Sequence, residues 1–115
     1  MNCDRCKYTQ ETCTDKEDGL CKIVSFEQAV DSVLSELKEL MISKQKDYGP
    51  QNILSFGEYG VLVRVNDKVE RLKNLHKAGR QPKNESVEDT WKDIANYGII
   101  ALMVRREIFN LPMSE

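Results

Sequence analysis

The sequence predicts an all-α fold, a small bundle of three main helices. Beyond residue 22, apolar residues recur at steps of three and four, which is the spacing of one helix face. Capping residues precede the periodic stretches, and glycine and proline follow them. With 115 residues, 40% of them hydrophobic, the chain is long enough for a single domain with its own core.

The first helix is predicted over residues 26–46. Ser25 and Gln28 form a capping box at its start, and Gly49 followed by Pro50 marks the point where it cannot continue. Its apolar positions are Phe26, Val30, Val33, Leu34, Leu37, Leu40 and Met41. Their spacing is typical of an amphipathic helix that packs one face against partner helices.

The second helix is predicted over residues 59–76, ending near Gly79 and Pro82. A short turn is expected in the preceding loop, residues 50–57. The apolar stripe of this helix is Leu62, Val65, Val69 and Leu72. We therefore expect these four side chains to face the core.

The third helix is predicted to open at Ser86, with Asp89 as its capping partner, and to run to Asn110 before Pro112. From Ile94 onward it is apolar on nearly every side. A helix of this kind needs neighbours all round, and two amphipathic helices in one short chain scarcely supply them. We therefore predict a homo-oligomer that completes the bundle.

Charge and hydropathy exclude several classes of protein. Lys and Arg number 17 against 19 Asp and Glu, so the net charge is −2 and nucleic acid is an unlikely partner. The longest apolar run, residues 94–104, is too short to cross a membrane, and the polar start of the chain lacks a secretory signal. These features predict a cytoplasmic protein without a membrane partner.

A cysteine-rich segment, residues 1–22, precedes the helical domain of residues 23–115. Its cysteines are Cys3, Cys6, Cys13 and Cys21, in the pattern C-x2-C-x6-C-x7-C. Two interpretations stay open, a structural zinc site and a tail of reduced cysteines. Disulfides are less consistent with a reducing compartment, and the single histidine, His76, is remote from any cysteine that it might activate.

Two carboxylate pairs occur at helical spacing. Asp67 and Glu70 share one side of the second helix, and Asp89 and Asp93 share one face of the third, which Asn96 extends. Helices packed antiparallel would bring these groups to one volume, where repulsion calls for a cation such as Mg²⁺ or Mn²⁺. The alternative is that each pair belongs to an ordinary solvated helix face.

Cations surround the predicted site. Arg64 and Arg71 flank the pair on the second helix, Lys92 neighbours Asp93, and Lys44 and Lys46 end the first helix. Each of these side chains could bind a phosphate, and each could equally form a weak ion pair on the surface. Asn96 lies within an apolar stretch, so its amide is expected to be buried at a polar wall.

Three blocks of this sequence resemble one family. KQKDYG at residues 44–49, NDKVERLKNL at 66–75 and ESVEDTWKDIANYGII at 85–100 are similar to the phage and bacterial family called nucleotide modification associated domain 1. That family is similar in layout to the all-α nucleotide pyrophosphohydrolases of the MazG type. The resemblance covers residues 26–110 and leaves the cysteine-rich start unexplained.

MazG-type enzymes hold Mg²⁺ with E-E-x-x-E on one helix and E-x-x-D on the next. By resemblance, the first motif falls on Asn66, Asp67 and Glu70, so an amide replaces one acid. The second falls on Thr90 to Asp93, where a threonine replaces the glutamate and Asp89 is the nearest acid. The implied ligands and catalytic groups are Asp67, Glu70, Asp89 and Asp93.

The resemblance implies Mg²⁺-dependent hydrolysis of a (deoxy)nucleoside triphosphate to the monophosphate and pyrophosphate. Lys46 or Arg64 would stabilise the leaving pyrophosphate, with Arg71 and Asn96 as further contacts. The base would stack on Tyr48, Tyr97 or Trp91. Two alternatives remain open, a non-catalytic nucleotide-binding module of the same fold and a zinc-containing interaction or regulatory protein.

Overall fold

The computed structural model describes residues 23–79 and 86–114, and the regular elements within these ranges are all α-helices. In chain order they are α1 (Phe26–Tyr48), α2 (Gln51–Leu54), α3 (Gly57–Ala78) and α4 (Val87–Arg105). The all-α prediction is therefore confirmed for this part of the chain. The predicted zinc ligands Cys3, Cys6, Cys13 and Cys21 lie outside the described residues.

The chain divides into two compact units, Met1–Glu39 and Leu40–Glu115. In the first, residues 23–39 are described, and they contain the start of α1. Of the apolar side chains predicted for this stretch, Leu37 is buried, whereas Phe26, Val30, Val33 and Leu34 are exposed. The helix is present as predicted, but most of its apolar face is open to solvent in a single chain.

Local signals in the sequence explain both ends of α1. Ser25 Oγ accepts a hydrogen bond from the backbone N–H of Gln28 at 3.1 Å, and Gln28 Oε1 accepts one from the N–H of Val24 at 2.7 Å. These two bonds confirm the predicted capping arrangement. The helix ends at Tyr48 because Gly49 adopts φ +69, a left-handed conformation that glycine tolerates without strain.

The second unit contains the rest of α1 and the other three helices. The turn expected in the loop of residues 50–57 is the one-turn helix α2, which buries Ile53. Helix α3 begins at Gly57 and ends at Ala78, two residues beyond each predicted limit. Gly79 caps it with φ 63 and donates its N–H to the carbonyl of Leu75 at 3.0 Å.

The core of the second unit forms around Ile53, Val61 and Phe109, all of them buried. Half-buried side chains pack against these three: Leu54, Val65, Tyr97, Ile100, Ala101, Met103 and Val104. The predicted stripe on α3 is wrong at two positions, because Leu62 is 59% exposed and Val69 is also exposed. The buried face of α3 runs instead through Val61 and Leu75.

Helix α4 starts at its predicted cap but ends early. Ser86 Oγ accepts a hydrogen bond from the N–H of Asp89 at 2.9 Å, and the helix runs from Val87 to Arg105 rather than to Asn110. Glu107 has φ 57, which breaks the helix. The chain then turns so that Phe109 enters the core, and burial of this large side chain favours the early end.

Helices α3 and α4 pack antiparallel. Successive cross-helix pairs join lower positions of α3 to higher positions of α4: Arg71 with Thr90, Lys68 with Asp93, and Glu58 with Arg105. The connection through residues 80–85 lies outside the described part of the chain. None of the described helices is long and apolar enough to cross a membrane.

Candidate functional site

A cavity of about 210 Å³ opens in the second unit, between the end of α1, α2, α3 and α4. We call it the Lys44 cavity. Its lining residues are Met41, Lys44, Gln45, Tyr48, Gly49, Asn52, Ile53, Arg64, Asp93, Asn96, Tyr97, Ile100 and Phe109. Gln45 Nε2 lies 3.4 Å from the carbonyl oxygen of Phe109 and so ties the C-terminal turn to α1 at the wall of the cavity.

Asp93 lies at the charged end of this cavity, with its side chain only 13% exposed. Its Oδ1 lies 3.1 Å from Lys44 Nζ, which comes from α1, and its Oδ2 lies 3.0 Å from Lys68 Nζ, which comes from α3. One carboxylate on α4 therefore links three helices. Because Asp93 and Lys68 are both mostly withdrawn from water, their ion pair is stronger than a pair on an open surface, whereas solvent around the half-exposed Lys44 side chain weakens the other pair.

The cavity carries a surplus of positive charge. Lys44 and Arg64 line it, and Asp93 is the only acidic residue among the lining side chains. The lining therefore carries one more cation than anion. Such an environment favours an anionic ligand, and guanidinium and ammonium groups are the usual protein partners of phosphate.

The rest of the cavity is suited to a ring system. Tyr48 and Tyr97 supply aromatic faces, and Ile53 and Ile100 supply apolar wall. Asn96 is buried within α4, as the sequence predicts, and it lines the same space beside these apolar groups. A cavity with a cationic end and an aromatic wall is the arrangement expected for a small anionic ligand with a planar ring.

The predicted acids do not all come together. Asp67, Glu70 and Asp89 are exposed, and Glu70 Oε2 lies 3.2 Å from Lys73 Nζ on its own helix. Only Asp93 lines the cavity. The α3 side chains that bond to α4 here are Lys68, which pairs with Asp93, and Arg71, which bonds to Thr90.

A magnesium ion needs several oxygen ligands around one point. Among residues 23–79 and 86–114 no three His, Cys, Asp or Glu side chains are grouped closely enough to hold a metal ion. Within one chain the predicted ligands Asp67, Glu70, Asp89 and Asp93 are therefore not gathered around one point, and an Mg²⁺ or Mn²⁺ site stays a prediction. The carboxylate that does lie in the cavity is instead neutralised by lysines.

Four of the six predicted substrate-binding residues line the cavity: Tyr48, Arg64, Asn96 and Tyr97. The structure does not bring Lys46 to this lining, and its side chain is exposed. Arg71 does not line it either, because it bonds to Thr90. Trp91, a predicted stacking residue, is exposed and also lies outside the lining.

Lys68 and Phe109 are site residues that the sequence analysis missed. Lys68 follows Arg64 by four positions and precedes Arg71 by three, so the three cations share one face of α3. This spacing is a signal that was available in the sequence. Phe109 carried no such signal, because its position depends on the early end of α4.

Comparison with known proteins gives one match. The sequence model of the family described as nucleotide modification associated domain 1 matches residues 44–104, more than half of the chain. The matched range begins at Lys44 and includes Lys68 and Asp93. No curated protein and no solved structure matches the chain significantly.

Proposed function

The chain belongs to the nucleotide modification associated domain 1 family, and from this premise we propose that the Lys44 cavity binds a (deoxy)nucleoside phosphate. The observation that carries the proposal is one cavity lined by two cations, Lys44 and Arg64, and by two tyrosines, Tyr48 and Tyr97. The family match spans the chain segments that supply these groups, from Lys44 on α1 to Tyr97 on α4.

The phosphate would lie at Lys44 and Arg64. Arg64 comes from α3 and Lys44 from the last turns of α1, so the two cations approach the cavity from different helices. An arginine offers paired donors to two phosphate oxygens, and a lysine adds a mobile point charge. Together they offset the charge of at least one phosphate group.

The nucleoside would lie against Tyr48 and Tyr97. Stacking of a base on an aromatic side chain contributes about 1–3 kcal/mol for each base in nucleic-acid-binding proteins. Asn96 lies at the buried wall, and its amide carbonyl has the chemistry to accept a hydrogen bond from the polar edge of a base or from a sugar hydroxyl.

Hydrolysis of a nucleoside triphosphate to the monophosphate and pyrophosphate stays our prediction for the reaction, in a cytoplasmic setting. It is supported by the family membership and by the resemblance of the α3 and α4 motifs to those of MazG-type enzymes. A magnesium site would need ligands beyond those that one chain brings together. A non-catalytic nucleotide-binding module is the alternative.

A homo-oligomer also stays a proposal. It is supported by the apolar groove along α3 and α4, whose lining includes Tyr59, Leu62, Val65, Gly98 and Ala101. Tyr59 and Leu62 are exposed there in a single chain. Exposed apolar surface of this kind is commonly covered by association. Light scattering on the purified protein would measure the number of copies.

Two matched pairs of variants test the binding proposal. Arg64→Gln removes a cation from the cavity, and Arg106→Gln removes an exposed arginine at the end of α4. Tyr48→Ala removes an aromatic side chain from the cavity lining, and Phe56→Ala removes a similarly exposed aromatic side chain outside that lining. We expect the affinity for deoxynucleoside triphosphates, measured by calorimetry, to fall roughly tenfold in the first member of each pair only.

A product assay distinguishes enzyme from binding module. The full chain is incubated with Mg²⁺ and a panel of ribo- and deoxynucleoside triphosphates, and pyrophosphate and phosphate are measured separately. Pyrophosphate release that is lost in Asp67→Asn and kept in Arg106→Gln supports hydrolysis. Binding without any product supports the module, and no binding across the panel contradicts both.

A further inference from the structure

We infer that Asp93 is an internal competitor for phosphate: its carboxylate pairs with Lys44 and Lys68, and a ligand phosphate entering the Lys44 cavity takes over these two lysines. The inference rests on the proposed function and deepens it in two respects. It assigns Lys68 to phosphate binding, and it gives Asp93 a role that needs no metal ion.

The geometry of the pairing supports this role. Each oxygen of Asp93 has its own lysine, at 3.1 Å for Lys44 and 3.0 Å for Lys68. The carboxylate thus spans two ammonium groups by an O–C–O edge, and an O–P–O edge of a phosphate presents two oxygens in the same way. Two lysines that bind the two oxygens of a carboxylate are therefore positioned to bind two oxygens of a phosphate.

The charges favour the exchange. A terminal phosphate carries a charge of about −1.5 to −2 near neutral pH, against −1 for a carboxylate. Lys44 and Arg64 line the cavity against one acidic lining residue, Asp93. A phosphate therefore gains more from the lysines than Asp93 does, and Arg64 in the same lining adds to the attraction.

The two lysines differ in their freedom to move. The side chain of Lys44 is 53% exposed and lies near the end of α1, whereas that of Lys68 is 23% exposed and is held between α3 and α4. A lysine stem of four carbons rotates readily where it is exposed. We expect Lys44 to swing from Asp93 to the phosphate and Lys68 to contribute a fixed charge.

If Asp93 competes with phosphate, removing its charge should tighten nucleotide binding, whereas removing the charge of a metal ligand should weaken it. Asp93→Asn keeps the size of the side chain and removes its charge, so it frees both lysines for phosphate. If Asp93 were needed to hold Mg²⁺ against the ligand, the same change would weaken nucleotide binding in magnesium and leave metal-free binding unchanged.

The experiment measures binding of inorganic pyrophosphate and of a deoxynucleoside triphosphate to the full chain by calorimetry, with EDTA present. We expect Asp93→Asn to tighten both roughly tenfold or more, and Lys68→Gln to weaken both by a similar factor. Lys73→Gln is the matched control, because Lys73 lies on the same helix and pairs with the exposed Glu70. It should leave both affinities unchanged.

Lys44→Gln is the second variant, since its exposed side chain is easily replaced without disturbing the core. It should weaken pyrophosphate binding as Lys68→Gln does, and melting curves on every variant exclude unfolding as the cause. Unchanged or weaker metal-free binding in Asp93→Asn overturns the inference. So does pyrophosphate affinity that is insensitive to both lysine changes.

The outcomes also separate this inference from the proposed function. If the triphosphate binds with an affinity that does not change in the variants of Asp93, Lys44 and Lys68, the inference is overturned and the proposed nucleotide binding is retained. Pyrophosphate binding with the expected pattern, but no affinity for any nucleotide, supports the inference and overturns the proposed function. If neither pyrophosphate nor any nucleotide binds, both the inference and the proposed function are overturned.

Discussion

Arg71 on α3 donates a hydrogen bond from Nη1 to Oγ1 of Thr90 on α4 across 2.9 Å, and Thr90 is fully buried. The threonine hydroxyl donates in turn to the carbonyl of Ser86 at 3.1 Å. This bond joins the two helices, and Arg71 is engaged there instead of lining the cavity.

Replacing Thr90 by valine should destabilise the protein. The valine side chain has nearly the same shape but cannot accept the bond from Arg71, so a half-buried guanidinium loses an acceptor. We expect a loss of about 1–3 kcal/mol in the free energy of unfolding, measured by urea denaturation. Ser43→Ala, which removes an exposed hydroxyl on α1, is the control and should change stability by less than about 0.5 kcal/mol. Equal stability of the two variants would contradict the prediction.

Truncating Phe109 should lower the free energy of unfolding more than truncating any exposed aromatic residue. Phe109 is buried against Ile53 and Val61, so Phe109→Ala leaves a cavity in the core of the second unit. We expect a loss of about 3–5 kcal/mol by chemical denaturation. The matched control is Phe56→Ala, because Phe56 is 74% exposed, and it should cost well under half as much. A similar cost for both would show that Phe109 does not pack as the structure has it.

Two glycine-to-alanine changes should have effects of opposite sign on the stability of the protein. Gly79 caps α3 with φ 63, where an added Cβ is strained, so Gly79→Ala should lower stability by about 1 kcal/mol. Gly98 lies within α4 and an added Cβ would meet no atom within 4 Å. Gly98→Ala should therefore raise stability by about 0.5–1 kcal/mol through the better helix propensity of alanine. Thermal melts of both variants check the signs, and two changes in the same direction would refute this assignment.

Asp93 and Glu70 should differ in their contribution to stability, although both pair with lysine. Asp93 is mostly buried between two lysines, so Asp93→Asn should lower the free energy of unfolding by about 1–3 kcal/mol. Glu70 and Lys73 are both largely exposed, and Glu70→Gln should change stability by less than about 0.5 kcal/mol. Denaturation at low and high salt measures both, and a larger effect of Glu70→Gln would contradict the prediction.

The helices were predictable because their signals are local. Ser25 and Ser86 accept the expected capping bonds, and Gly49 and Gly79 end their helices with the expected left-handed backbone. Each of these features depends on residues within four positions in the sequence. The predicted end of α4 was wrong by five residues, because the chain leaves the helix early and places Phe109 in the core.

The site was predictable only in part. Tyr48, Arg64, Asn96 and Tyr97, which the sequence analysis assigned to one site, line one cavity. Asp67 and Glu70 were assigned to the same volume, but spacing does not say which side of α3 meets α4. The structure turns Lys68 and Arg71 to that side instead.

The sequence by itself determined the all-α class, the capped starts of α1 and α4, and the family, because these depend on local spacing and on motifs that stay in register along the chain. Only the tertiary structure decided that Asp93 joins Lys44 and Lys68 and that Thr90 holds Arg71. The physical reason is that helix periodicity fixes which residues share a face, whereas packing against other helices fixes which face is buried and which charges meet.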